Sequence, residues 1–154
     1  MLRITRQTDY GIVIMSLFSG KDPETVLSAR DMSKETNLPL PTVSKILKSL
    51  TRGGLLDSTR GVKGGYSLAR ASDAISVANI VEAIEGPIAL TDCLDQSNRD
   101  CIISVSCPCK SNWMRINDAV KAALETIPLE QMTAGCKFVF PDGAEEMDDT
   151  DELE

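Results

Sequence analysis

The sequence contains no histidine, few aromatic residues and no long apolar run. Without histidine, the Cys–His and Ser–His arrangements of nucleophilic catalysis are excluded, and we expect no enzyme activity. With three Phe, two Tyr and one Trp, the core has to be mainly aliphatic. No segment reaches the length of a membrane span, and the first residues carry no apolar signal core. We therefore expect a protein of the reducing cytoplasm, with no membrane partner.

Charge is distributed unevenly along the 154 residues, whose net charge is −7. Residues 1–80 carry 11 Lys and Arg against 7 Asp and Glu, a net +4, whereas residues 81–154 carry 5 against 16, a net −11. Half of those sixteen acids lie in the last fourteen residues, where there is little to bury. The pattern predicts a basic amino-terminal part that suits nucleic acid and an acidic disordered tail over residues 135–154.

Helical periodicity predicts three helices in the basic part. The first covers Thr8 to Phe18, and the second is short, beginning after Ser28 and ending at Asn37. The third has Pro41 in its first turn and ends at Arg52. Its apolar stripe is Val43, Ile46, Leu47 and Leu50, and its opposite side carries Thr42, Lys45, Lys48, Ser49 and Arg52. A short helix, a turn and a helix with a free basic side are typical of a helix-turn-helix, whose second helix enters the major groove.

Two short strands follow, Leu55–Thr59 and Tyr66–Ala69, separated by a glycine-rich turn. Arg60 and Lys63 lie in that turn. A hairpin with a basic tip directly after a helix-turn-helix is typical of the wing of a DNA-binding domain. Together the two features predict a protein that binds double-stranded DNA.

The carboxyl-terminal half is predicted to be helical. Ser76 caps a helix over Val77 to Glu85, and a long amphipathic helix closes at Pro128. The apolar stripe of the long helix is Trp113, Ile116, Val120, Leu124 and Ile127. We expect this stripe to pair with the same helix of a second subunit in a homodimer. The predicted fold class is mainly α with a small β wing, a winged helix-turn-helix plus a long C-terminal dimerisation helix.

Four of the five cysteines lie between Cys93 and Cys109, with gaps of seven, five and one residues. Structural zinc sites usually have paired cysteines two residues apart, a pattern that is missing here. Irregularly spaced thiolates within one loop suit an iron-sulfur cluster. Spacing alone leaves three possibilities open, which are a cluster, zinc and a thiol redox switch. Cys136 lies beyond the long helix and is not expected to be a ligand.

Several stretches resemble a known family, the winged-helix bacterial regulators that include IscR and NsrR. The resemblance rests on LRITRQTDYG, LPTVSKILKSL, RGVKGGYSLAR, ISVANIVEAIEGPIALTDC and CKSNWMRINDAV, and it covers about residues 1 to 134. It is strongest with the regulators of the SUF iron-sulfur assembly system. It implies region 1–75 as the DNA-binding domain and region 76–134 as the cluster-binding loop with the dimerisation helices.

The resemblance implies an iron-sulfur cluster held by Cys93, Cys101 and Cys107, with two or four iron atoms. The first gap is seven residues rather than the five usual in IscR and NsrR. Where IscR-like members place a ligating histidine, this chain has Lys110, which offers no lone pair when protonated. NsrR-like members use an aspartate of the first helix from the other subunit, which corresponds to Asp9. Cys109 is the competing fourth ligand.

The combined prediction is a DNA-binding transcription regulator, acting as a repressor, whose affinity is set by the cluster and whose targets are SUF genes. We expect Thr42, Ser44 and Lys45 to contact base edges. Phosphate contacts are expected from Arg6, Lys48 and Lys63, and a minor-groove contact from Arg60. The alternatives are a winged-helix regulator that senses zinc or thiol oxidation, and an iron-sulfur electron carrier. No small-molecule substrate is expected.

Overall fold

A computed structural model describes residues 3–95 and 101–135. These residues form six α-helices, one turn of 3-10 helix and a two-stranded antiparallel sheet. In chain order the elements are α1 (Arg6–Ser16), α2 (Ala29–Thr36), α3 (Leu40–Arg52), β1 (Leu56–Thr59), β2 (Gly65–Leu68), the 3-10 turn (Ser72–Ala74), α4 (Val77–Glu85), α5 (Lys110–Glu125) and α6 (Leu129–Thr133). Cys136 and the predicted acidic tail beyond Gly135 lie outside the described residues.

Capping interactions set the ends of the first two helices. The Thr5 hydroxyl accepts the Thr8 N–H at 3.3 Å, so α1 begins at Arg6, two residues before the predicted start. It ends at Ser16 because the following N–H groups donate to carbonyls only three residues back, which tightens the turn. In α2 the Ser28 hydroxyl accepts the Asp31 N–H, and Asn37 ends the helix in the left-handed conformation at φ 56°.

The core is aliphatic and has α3 at its centre. Helix α3 packs on α1, α2, α4 and β1. Its interior residues are at most 1% exposed, namely Val43, Ile46, Leu47 and Leu50. Burying each such side chain contributes about 1.5–3 kcal/mol. Since this contribution is lost if α3 rotates, the buried stripe fixes which side of the helix faces solvent.

The small sheet packs beside α3. Strands β1 and β2 pair in the register Leu56 with Leu68 and Thr59 with Gly65. Leu27 extends this sheet by one residue, because its N–H and carbonyl both bond to Tyr66, at 2.9 and 2.8 Å. Leu56 is buried at the inner end of the hairpin. The hairpin therefore leaves the core as an arm whose turn reaches into solvent.

Helices α4 and α5 are joined by the cysteine-containing segment, and their far ends are tied together. The Val77 N–H donates to the Ile127 carbonyl at 2.9 Å, and the Leu129 N–H donates to the Ile75 carbonyl at 2.7 Å. Leu129 is fully buried at the start of α6, a helix that the sequence did not predict. None of the described helices is long and apolar enough to cross a membrane.

No residue of α5 is buried. The second half of its apolar stripe, Val120 and Leu124, is half-buried against the rest of the chain. The first half is open, since Trp113 is 41% and Ile116 is 47% exposed. The predicted stripe therefore divides into a part that packs within the chain and a part that no described residue covers.

Candidate functional site

The outer side of α3 carries polar and basic side chains. Lys45 and Lys48 are exposed, and Thr42 and Ser44 are half-exposed. Because the opposite stripe of α3 is held in the core, these four residues are presented to solvent on a rigid helix. A single helix with such a face has the dimensions and the charge to enter the major groove of DNA.

The wing, formed by β1, β2 and the turn between them, has a tightly closed tip. The Gly64 N–H donates to the Gly61 carbonyl at 3.0 Å, and Gly61 has a φ of +115°, which favours glycine. A Cβ on Gly64 would collide with the carbonyl oxygen of Thr59. Arg60 and Lys63 are exposed in this turn. Two cations on a narrow hairpin suit contacts with phosphates or a minor groove.

The start of α1 adjoins the start of α3. Gln7 lines a shallow recess of about 250 Å3 together with Thr42 and Lys45. Arg6 is exposed next to Gln7. No sequence pattern marks Gln7, because a polar residue in a first helical turn gives no signal of its neighbours across the fold. The recess places α1 at the edge of the predicted DNA-binding face.

Asp9 is exposed on the first turn of α1. It lines an open recess of about 650 Å3 with the four other residues Arg3, Ile4, Thr5 and Arg6. Asp9 is therefore accessible to a ligand from outside its own chain, as the predicted role requires.

Glu85, the last residue of α4, joins that helix to the start of α1. Its carboxylate accepts the Thr5 hydroxyl at 2.9 Å, the Thr5 N–H at 3.2 Å and the hydroxyl of the fully buried Thr8. Partial burial raises the pKa of Glu85, but the hydrogen bonds from Thr8 and Thr5 outweigh it and hold the pKa below the ordinary value of 4.5. Gly11 lets the two helices approach, since a Cβ there would collide with Cδ1 of Ile84. No pattern in the sequence predicts this junction.

The four predicted cysteine ligands lie in the thiol loop, defined as residues 86–109 between α4 and α5. All four are free thiols; Cys93, Cys101 and Cys107 are half-buried, and Cys109 is exposed. The Cys109 carbonyl accepts the N–H groups of Asn112 and Trp113, at 3.1 and 3.0 Å, so its main chain is fixed by the first turn of α5. Cys93 lies near the other end of the loop, with its sulfur 3.2 Å from the Thr91 hydroxyl oxygen.

The donor set suits an iron-sulfur cluster in its chemistry. Several thiols on one segment between two helices, with a carboxylate available elsewhere, are ligands that such clusters take. Within residues 3–95 and 101–135, however, no three Cys, Asp, Glu or His side chains come together as a metal site. The structure therefore brings the cysteines into one loop without assembling them around a common centre.

The chain is similar in sequence to a known protein family and to several of its members. A protein-family model described as Rrf2, iron-dependent transcriptional regulator, matches residues 4–135. The HTH-type transcriptional regulator CymR of Bacillus subtilis is 30% identical over 146 residues, which cover 94% of this chain and 96% of CymR. The HTH-type transcriptional regulator IscR of Photorhabdus laumondii is 25% identical over 131 residues, which cover 85% of this chain and 79% of that protein.

Solved structures give the same result. The structure of CymR, described as the global cysteine regulator of B. subtilis, matches with a TM-score of 0.68 and 31% identity, and covers 89% of this chain and 100% of CymR. The structure of T. potens IscR matches with a TM-score of 0.60 at 24% identity, covers 86% of this chain and 87% of that one, and shows the fold alone. These relatives are transcription regulators and not enzymes. The predicted winged-helix fold is confirmed.

Proposed function

This chain belongs to the Rrf2 family of transcriptional regulators, and from that premise we propose that an iron-sulfur cluster in the thiol loop sets its affinity for promoter DNA. The proposal places the protein in the cytoplasm as a homodimeric repressor, with iron-sulfur assembly genes of the SUF type as targets. The observation that carries it is the presence in one chain of a basic winged-helix face and a loop with four free thiols.

The DNA-binding residues are assigned by their place on that face. Thr42, Ser44 and Lys45 lie on the first half of α3, the part of a recognition helix that contacts base edges. Phosphate contacts are assigned to Arg6, Lys48 and Lys63, and the minor-groove contact to Arg60. Gln7 joins them as a candidate for the DNA backbone, because it shares a recess with Thr42 and Lys45.

Cys93, Cys101 and Cys107 are the proposed cluster ligands, with Asp9 of a second copy of the chain as the fourth. A bound cluster would supply redox and ligand-exchange chemistry that responds to cellular conditions. The exposed position of Asp9 beside a wide recess supports its role. Cys109 stays the alternative, since it is exposed and its thiolate is the softer ligand.

The junction at Glu85 offers a route by which the thiol loop and the DNA-binding face affect each other. The loop begins directly after Glu85, whose carboxylate holds the first turn of α1. That turn carries Asp9, and Gln7 beside it adjoins α3. A loop conformation that moves Glu85 would therefore change the position of α1 against α3. Two such arrangements with unequal DNA affinity are what allosteric control requires.

The visible absorption spectrum of protein purified or reconstituted without oxygen tests the cluster. We expect charge-transfer bands in the visible, with iron and acid-labile sulfide in matching amounts per chain. Asp9→Ala and Cys109→Ala then decide the fourth ligand, because only loss of the true ligand changes the spectrum. A protein that stays colourless after reconstitution contradicts the cluster but leaves the DNA-binding function intact.

A second function, thiol sensing without a cluster, is favoured by one finding. CymR, which is 30% identical to this chain, is described as a cysteine regulator in its solved structure. Under this function the half-buried thiols would respond to oxidation or to zinc. Metal analysis separates the two, since thiol sensing predicts no sulfide, whereas the cluster predicts sulfide equal to iron.

A further inference from the structure

The first residues of the thiol loop are held on α5 by a single side chain. The Leu90 N–H donates to Oδ1 of Asn117 at 2.9 Å, and Nδ2 of Asn117 donates to the Ile88 carbonyl at 3.0 Å. The three residues are half-buried. One carboxamide thus satisfies two main-chain groups that lie 27 and 29 residues away in the sequence.

The chemistry of the contact explains why asparagine stands at this position. A primary amide carries both an acceptor and donors, so it can bond a carbonyl and an N–H at once, as a neighbouring β-strand would. Half-buried main-chain groups without partners are costly, because they lose water without replacing its hydrogen bonds. Leucine lacks both functions, and aspartate keeps only the acceptor for the Leu90 N–H.

The helix that carries Asn117 is itself fixed to α4. One turn further along α5, Nζ of Lys121 lies 2.8 Å from Oε1 of Glu82, and this contact raises the pKa of Lys121. Residues 88–90 are therefore bonded to a helix that packs on α4 and forms this ion pair with it. Thr91 and Cys93 follow within three residues, and their side chains are in contact at 3.2 Å.

We infer that Asn117 is a positioning residue for the thiol loop, whose carboxamide bonds to residues 88 and 90 and thereby fixes where Cys93 stands. This inference deepens the proposed function and rests on it, because that function is the reason why Cys93 needs a fixed position. The contact itself is a property of the metal-free chain and can be tested there. Asn117 is polar at the edge of the apolar stripe of α5, between Trp113 and Val120, where packing alone would favour an apolar residue.

The test compares Asn117→Leu and Asn117→Asp with Asn112→Leu, a control at an exposed asparagine of the same helix. The full-length, reduced, metal-free protein is used throughout. Hydrogen exchange of the Leu90 N–H is followed by NMR. Labelling of Cys93 by N-ethylmaleimide is followed by peptide mass spectrometry, with exposed Cys109 as the internal reference.

For Asn117→Leu we expect the exchange of Leu90 to accelerate about thirtyfold, which corresponds to two hydrogen bonds of ordinary net strength. The ratio of Cys93 to Cys109 labelling should rise severalfold. Asn117→Asp should keep Leu90 protected, because the acceptor remains, and this variant keeps the test valid if the leucine variant folds poorly. Asn112→Leu should match the wild type.

Two results would overturn the inference. One is an unchanged Leu90 exchange rate and labelling ratio in Asn117→Leu. The other is an equal acceleration at Cys93 and Cys109, which would show general loosening of α5 in place of a local contact. Because no metal is present in these experiments, the failure of the chain to take up a cluster would contradict the proposed function without affecting this result.

Discussion

Lys48 lies on the solvent side of α3, directly after the fully buried Leu47 and two residues before the fully buried Leu50. Its position is therefore fixed by the core, and no acidic residue among residues 3–95 and 101–135 forms an ion pair with its ammonium group. We predict that Lys48→Ala weakens binding to all DNA sequences and lowers the slope of log affinity against log salt by about one unit, because one counterion fewer is released. Fluorescence anisotropy titrations at several salt concentrations measure both effects.

Lys21→Ala provides the matched control, because Lys21 is a partly exposed cation beyond the other end of α1 and its ammonium lies 3.8 Å from Glu35. Lys21→Ala removes the same charge as Lys48→Ala, but Lys21 does not lie on the recognition helix. The control should keep the wild-type salt slope. An equal loss of slope in both variants would mean that net charge, and not a contact of Lys48 with phosphate, governs binding.

At the scale of elements, the Glu85 carboxylate fixes the end of α4 to the start of α1, and its lowered pKa links that contact to pH. The pKa is below 4.5 in the folded chain and ordinary in the unfolded chain, so the contact stabilises the fold above pH 4.5. This stabilisation is lost as the pH falls through the pKa that Glu85 has in the folded chain. We predict that Glu85→Gln lowers the melting temperature by a few degrees at pH 7 and that the difference shrinks as the pH is lowered from 7 through 4.5 and below.

Thermal unfolding followed by circular dichroism across this pH range measures the difference. Glu24→Gln, which removes an exposed carboxylate in the connection between α1 and α2, is the control and should show no such pattern. If the melting temperatures of the wild type and Glu85→Gln differ by the same amount at every pH, the effect comes from the altered shape of the side chain and not from the ionisation of Glu85.

Elements that rest on local patterns were predicted from the sequence. Helix α3 follows from its apolar spacing, and the wing follows from two short strand-like segments around a glycine-rich turn. The contacts between distant parts of the chain were not predictable. Glu85 meets Thr8 across 77 residues, and no local pattern indicates which helices lie side by side. The five residues of α6 are too few to show a period, although Leu129 is part of the core.

The predicted ligands divide in the same way. That the cysteines share one loop was readable from their spacing, whereas their mutual distances depend on a loop path that spacing does not determine. Asn117 was readable in principle, as a carboxamide beside an apolar stripe. Its hydrogen-bond partners were not predictable, since they are main-chain groups, which are the same in every residue of this segment that is not proline.

At the scale of the whole molecule, α5 exposes Trp113, Met114 and Ile116 within about one turn. A second copy of the chain is the partner we propose for this surface. We predict that Ile116→Asp converts a dimer into a monomer and weakens DNA binding roughly a hundredfold, because two linked half-sites are no longer engaged together. Sedimentation velocity measures the assembly and anisotropy measures the affinity.

Ala122→Asp introduces the same charge on the other side of α5, where the residue is also exposed. This control should remain dimeric. The melting temperature of the wild type should rise with protein concentration, as expected when folding and association are linked, and that of Ile116→Asp should not. A wild type that sediments as a monomer at micromolar concentration would refute the proposed dimer.

Two main-chain hydrogen bonds between residues 75–77 and 127–129 hold the start of α4 next to the end of α5. These ends of the two helices are the ones remote from the thiol loop. Loop entropy changes slowly with length, by about 0.6 kcal/mol for each doubling. Residues can therefore be inserted or deleted between the cysteines with little effect on the stability of the helices. Evolution could vary the chemistry of this loop by changing its length while leaving the recognition helix and the wing as they are.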